Sequence, residues 1–433
     1  MTNFELAKKY ESYIIEKRRY FHMYPESTGE EFNTVRTLLE ELYELDIPCV
    51  EIENGGILAW IRGDEDNGRS VLLRADIDAL PVQESDDNLL PGKRTCKSLN
   101  EGVMHACGHD AHIAMLLGAI KVLLEKRSEI KGTIYIVFER GEEYPDNFWQ
   151  ILEYMDKNHI CPDTSWAIHV FAGLETGKLS IADGSVMASS IPFTVTLQGR
   201  GGHGSRPDQA VSPIDAFCAI YTALSSFRMR RVNPFVGFTC SIGKVVAGDI
   251  GNVIPDTLTF QGSVRTLDRE IAGKDFIADF EKFVSTIAEA YSCTAEMKPL
   301  SSSFPVANSP VCAEFAREHI AAELGKECLC QAEPWMATET FANYLKLWPG
   351  VFAFLGIANP EKGCGAAHHN PAFDIDEDAL VVGTAAAVTY ALEYLNSDLD
   401  VSGEKTFACL RDLLWEKGDA RRLKEMFGEE FVR

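Results

Sequence analysis

Five short apolar runs constrain this chain most: Ile57 to Ile61, Val71 to Leu73, Thr133 to Phe138, Ser165 to Val170 and Val351 to Leu355. They are nearly continuous rather than alternating, the pattern of strands buried on both faces. Helical segments separate them, which predicts an α/β fold with a largely parallel sheet. Helices are expected over residues 4 to 20, Glu30 to Leu45 and Asp378 to Leu395. In the second of these, Thr34, Val35, Leu38, Leu39, Leu42 and Tyr43 supply one apolar stripe.

Between about residues 187 and 299 the period changes. Ile191, Phe193, Val195 and Leu197 alternate with Pro192, Thr194, Thr196 and Gln198, as in a strand with one wet face, and Leu258, Phe260 and Val264 do the same. A helix near 211 to 229, a strand near 235 to 246, a helix near 271 to 290 and a strand near 293 to 298 complete the order β-α-β-β-α-β. That order predicts an inserted ferredoxin-like α+β domain over 187–299, a lid or a dimerisation surface. The larger domain would then be discontinuous, 1–186 and 300–433, ending in a charged helical tail over 396–433. A chain of 433 residues is long enough for two cores.

The net charge of −24, with no basic stripe to offset it, disfavours nucleic acid and anionic membranes as partners. The N-terminus carries charges throughout, unlike a signal peptide, and no later segment reads as long enough to span a membrane. The expected location is the cytoplasm, where the 12 scattered cysteines would stay reduced.

The chemistry concentrates in Met104 to His112, which holds one thiol, three imidazoles and a carboxylate. Cys107 and His109, one glycine apart, suit two ligands on a tight loop at the start of a helix, with Asp110 placed to cap it. Three readings of this stretch stand open. It is a metal site, a buried helix start whose histidines satisfy backbone groups, or a nucleophilic cysteine activated by a histidine. Glu142-Glu143 follows one strand, and His169 lies near the end of another, at the edge where open α/β sheets place ligands. His203 lies among glycines in the inserted domain, and His368-His369-Asn370-Pro371 lies near the C-terminus. Alone, the glutamates read as a surface pair and His169 as a core histidine. Their joint occurrence with Cys107 and His109 favours metal binding.

These segments occur in one order with Arg18-Arg19-Tyr20-Phe21-His22, Leu73 to Pro81, Asn252-Val253-Ile254-Pro255, Gly262 to Thr266 and His369 to Asp374. In that order the chain resembles the M20 metallopeptidase family, within it the amidohydrolase branch of aminoacylase-like, hippurate-hydrolase-like and indole-acetyl-amino-acid-hydrolase-like enzymes. The resemblance implies a metal-dependent amidohydrolase that cleaves small N-acyl amino acids, with a dipeptidase on the same machinery as the alternative. It implies two divalent transition-metal ions, zinc or else manganese, cobalt or nickel, held by Cys107, His109, Glu143, His169 and His369, with Cys107 bridging. His369 is selected over His368 because the family's ligand precedes the Asn/Ser-Pro pair. Glu142 would be the general base, His203 would stabilise the oxyanion, and Asn252 and Arg265 would bind the free carboxylate of the amino-acid portion. A homodimer through the exposed sheet edge or helix face of the inserted domain is the expected assembly.

The chain departs from the family pattern on both sides of the glutamate pair. Glu139-Arg140-Gly141 stands where the family has Gln-Pro-Ala, and Tyr144-Pro145-Asp146-Asn147 where it has a glycine-rich run, which bears on the shape of the substrate pocket. A cysteine hydrolase or a binding protein without turnover are the competing classes, and a chelator separates the first from a metal enzyme.

Overall fold

The computed structural model describes residues 1–144, 148–268, 274–298 and 303–428. Expectations for Pro145-Asp146-Asn147, for the start of the helix near 271 and for the last residues of the tail lie outside these. The chain forms two compact units: Met1–Gly184 with Ala307–Glu333 and Glu339–Leu413, and Ser185–Val306 with Pro334–Thr338 and Leu414–Arg433.

The first unit is built on an eight-stranded sheet in the order Cys49–Ile52, Gly56–Arg62, Lys131–Glu139, Glu65–Asp76, Thr164–Glu175, Gly350–Ala358, Leu179–Ser180 and Leu329–Cys330. Its four central strands, Lys131–Glu139 through Gly350–Ala358, are parallel. Gly56–Arg62, whose apolar run reads like the others, is antiparallel to Lys131–Glu139. Helices covering both faces of a sheet bury a strand whatever its direction, so a continuous apolar run cannot report direction.

The expected helix over residues 4 to 20 is two helices, Asn3–Lys9 and Glu11–Met23, separated at Tyr10. Thr2 and Glu5 form a capping box at the start of the first. The helices Glu11–Met23, His109–Glu125 and Leu380–Asn396 approach closely at Gly118, where an added Cβ would lie 2.7 Å from Ile14 and 3.1 Å from the Thr384 hydroxyl. One expectation about membranes needs correction. The 20-residue stretch Glu377–Asn396 does reach the length and hydropathy of a span, but 83% of its most apolar window is buried inside the protein, so its apolar surface is spent on the core.

The second unit carries an antiparallel sheet in the order Phe238–Ala247, Thr257–Thr266, Ser189–Gln198 and Thr294–Lys298, with helices Pro213–Arg231 and Lys274–Ala290. This is the ferredoxin-like order. Phe193, Val195, Leu197, Phe260 and Val264 meet Phe276, Phe280 and Val284 in its core, the inward set of the alternating pattern. The tail differs from expectation, because Leu414–Arg433 belongs to this unit rather than to the larger one. Leu414 and Leu423 are buried, and the Lys417 ammonium lies 5.6 Å from the centre of the Phe304 ring.

Candidate metal centre

Gly108 starts the site. Its φ of +88° favours glycine, and a Cβ there would lie 2.4 Å from Val170 Cγ2. This glycine sits at the N-cap of His109–Glu125 and sets Cys107 and His109 side by side. Asp110 is not the cap. Its carboxylate is spent on buried Arg18, 3.0 Å from Nε, and on His22 Nδ1 at 2.8 Å.

The Cys107 Sγ lies 3.6 Å from His169 Nε2. His169 Nδ1 donates to the Val170 carbonyl at 2.6 Å, which leaves the Nε2 lone pair facing the thiol. The strand runs on to Glu175, so His169 sits inside it rather than near its end. His109 Nδ1 is held by Asp78 Oδ1 at 3.1 Å, with Nε2 3.9 Å from Glu143 Oε1. Glu143 Oε1 is in turn 3.3 Å from His369 Nε2. His369 takes a left-handed backbone, φ 64°, a conformation costing about 1–3 kcal/mol away from glycine. His368 turns elsewhere, its Nε2 accepting the Ala172 N–H at 3.3 Å.

Donor atoms of Cys107, His109 and His169 lie within 4.8 Å of one another, and so do those of Cys107, Glu143 and His369, and of His109, Glu142 and Glu143. Cys107, His109 and Glu143 each belong to two of these groups. The donor set fits divalent transition metals: a thiol, three imidazoles and carboxylates suit zinc and its neighbours. Two buried atoms fit as well, for His109 Nε2 and Glu143 Oε1 have no hydrogen-bond partner among the described residues.

The electrostatics describe a proton-loaded pocket. Burial, then the carboxylates of Glu143 and Glu142, push the Cys107 thiol well above its usual range. Burial alone would lower His109, but Asp76, Asp78 and Glu143 outweigh it and raise the imidazole to about 10. Burial holds His169 well below its usual range, so it is neutral and able to act as a ligand. Glu142 is raised well above the usual carboxylate range by burial and by the nearby Glu339 and Glu143.

His203, Asn252 and Arg265 belong to the second unit. The short strand Gly202–His203 pairs with Val253–Ile254, and Gly204 N–H donates to the Asn252 carbonyl at 2.9 Å, so His203 and Asn252 are neighbours. His203 is exposed, and its Nδ1 accepts the Ser205 N–H at 3.1 Å. Arg265 donates from Nη1 to the Met336 carbonyl at 2.9 Å.

Sequence reasoning left several members of the site without a role. Asp76 and Asp78 orient the imidazoles, Asp76 Oδ1 at 2.5 Å from His112 Nδ1 and Asp78 as above, while His112 Nε2 accepts the Val170 N–H at 3.0 Å. Two carboxylates leaving the C-terminal end of an apolar strand were a usable signal. Arg74 and the Glu339-Thr340 pair, 265 residues further along, carried none.

Residues 72–393 match the peptidase family M20/M25/M40. The chain is 33% identical over 400 residues to thermostable carboxypeptidase 1 of Saccharolobus solfataricus, covering 90% of this chain and 97% of that protein. It is also 33% identical to N-acetyl-L-cysteine deacetylase of Bacillus subtilis, covering 90% and 89%. Among solved structures, a dinuclear metal-binding peptidase of the M20 family from Bacillus subtilis superposes with a TM-score of 0.76 at 30% identity, covering 90% of this chain and 99% of that one. The matched segment contains every residue of the cluster from Asp76 to His369, and this chain belongs to the M20/M25/M40 family of metal-dependent hydrolases.

Proposed function

We propose that the protein cleaves N-acyl amino acids to a carboxylate and a free amino acid, using two divalent cations held by Cys107, His109, Glu143, His169 and His369. The observation that carries this reading is the Cys107 thiol, common to the group with His109 and His169 and the group with Glu143 and His369, which together hold all five ligands. Bound cations supply a Lewis acid for the amide carbonyl and acidify water. The other roles fall to the chain. Glu142, fixed at Oε1 by the Thr340 N–H at 3.1 Å, takes a proton from the attacking water and delivers it to the departing nitrogen. His203, whose Nδ1 accepts the Ser205 N–H, carries its own proton on Nε2 when neutral, the donor that a developing oxyanion needs. Asn252 and the remaining N–H groups of Arg265 bind the substrate carboxylate.

His203→Ala is expected to lower kcat by about 10²–10³-fold, the scale for losing one oxyanion donor, with metal content unchanged. Wild-type kcat would remove His203 from the reaction. Arg265→Ala is expected to raise KM for substrates with a free α-carboxylate by the equivalent of about 1.5–3 kcal/mol, and to matter little for amide-capped analogues. Equal losses on both would make Arg265 structural.

Peptide cleavage is the second reading, favoured by the carboxypeptidase relative at the same identity as the deacetylase. Comparing kcat/KM for N-acetyl and N-benzoyl amino acids with that for dipeptides separates the two. Within the same proposal the second unit is a lid and a dimerisation surface, supported by the exposed Tyr221, Met229, Phe235 and Ile250 that it carries. Twelve free thiols suit the cytoplasm.

A further inference from the structure

Behind the glutamate pair lies a buried ionic cluster that the reaction as described does not use. Arg74 lies at the end of its strand with almost no exposure, Nη1 2.8 Å from Asp76 and Nη2 2.8 Å from Glu139 and 3.0 Å from Glu339. The same Nη2 donates to the Thr340 hydroxyl at 2.8 Å, and that hydroxyl donates to Glu139. Glu339 Oε1 also accepts the Phe341 N–H at 3.0 Å, which fixes the turn around Thr340. The Thr340 N–H meets Glu142 Oε1. One guanidinium faces three carboxylates in a buried interior, an arrangement that stability alone does not favour.

We propose that Arg74 and Glu339 are positioning residues for Glu142. They clamp the Thr340 N–H against one oxygen of that carboxylate, so that its second oxygen keeps a fixed direction toward the reacting water and amine. This rests on Glu142 being the base. A carboxylate tethered at one oxygen loses rotational freedom, and misplacement of a reacting group by about 1 Å can cost about 10²-fold in rate.

The test is a double-mutant cycle on the metal-loaded full chain, read as kcat, KM and bound metal. Glu339→Ala is expected to lower kcat by about 10- to 100-fold, with KM and metal content unchanged. Glu339→Gln keeps an oxygen acceptor for Arg74 and for the Phe341 N–H, and should recover most of the loss. In a Glu142→Gln background, Glu339→Ala should cost nothing more, because the group it positions is gone. An equal loss in both backgrounds, or a raised KM with wild-type kcat, would overturn the proposal. If Glu339→Ala does not fold, Thr340→Val keeps the N–H but removes the hydroxyl bridging Arg74 and Glu139. The same pattern is expected there, and wild-type kcat would overturn the proposal too. Full turnover in Glu142→Gln alone would instead remove the base assignment itself, whereas an inactive Glu142→Gln beside a fully active Glu339→Ala removes only the positioning role.

Discussion

Replacing Cys107 with alanine is expected to strip bound metal from the protein and with it nearly all turnover. The thiol is 6% exposed, 3.6 Å from His169 and common to two donor groups, so its loss removes a ligand from both proposed cations at once. Partners that merely orient a ligand are worth about 10- to 100-fold in metal affinity, and a shared ligand must exceed that. The fold should survive, since alanine leaves a small void in a helix start already fixed by Gly108. The linkage to pH has a definite sign. The thiol is pushed up by burial and by Glu143 and Glu142, and His109 is raised to about 10, so both carry protons in the metal-free pocket near neutrality. Cation uptake displaces those protons and must tighten as pH rises. Competition titrations with a chromophoric chelator at about pH 6 and about pH 8 read this directly. A Cys107→Ala protein that keeps two cations and full activity would exclude the bridging role.

Glu142→Gln should leave fold and metal in place and remove most turnover. The amide keeps the size of the side chain and an oxygen for the Thr340 N–H, so the contact at 3.1 Å can persist. On the proposed mechanism the proton acceptor for water and the donor for the leaving nitrogen would both be lost, and such assistance is worth about 10²–10⁴-fold. Glu143→Gln should differ. Its carboxylate oxygen lies 3.3 Å from His369 Nε2 and 3.9 Å from His109 Nε2, so its neutralisation should lower metal occupancy first and activity as a consequence. Bound metal and kcat measured on both variants give a paired readout. If Glu142→Gln sheds metal while Glu143→Gln retains it, the two roles are exchanged.

The sequence shows where the elements lie far better than how the site is held. The apolar runs at Val71, Thr133, Ser165 and Val351 mark the four parallel strands because burial on both faces demands them. The alternation from Ile191 to Leu197 marks the inserted sheet for the complementary reason, one face in and one face out. The run at Ile57 looks the same as the others and is antiparallel, since pairing direction leaves no trace in side-chain character. Within the site, Cys107 and His109 stand out because they are dense and local. His169 gains meaning through its joint occurrence with them, and His369 is chosen over His368 only through the family order of motifs. Among the supports around them, Asp76 and Asp78 left a usable mark at the end of an apolar strand, whereas Arg74 and Glu339 were not legible, for a buried ion pair between residues 74 and 339 depends on tertiary contact alone. Asp110 shows the converse error. A carboxylate in the first turn of a helix reads as a cap, yet a buried arginine from another helix makes the stronger demand on it.

The central claim is that turnover depends on divalent cations in the Cys107 cluster, and elemental analysis coupled to activity before and after chelation tests it most directly. The account predicts up to two transition-metal ions per chain in active protein, loss of N-acyl amino acid hydrolysis as they are removed, and recovery when zinc, manganese, cobalt or nickel is returned. Full hydrolysis by protein that holds no metal in the presence of EDTA would contradict it.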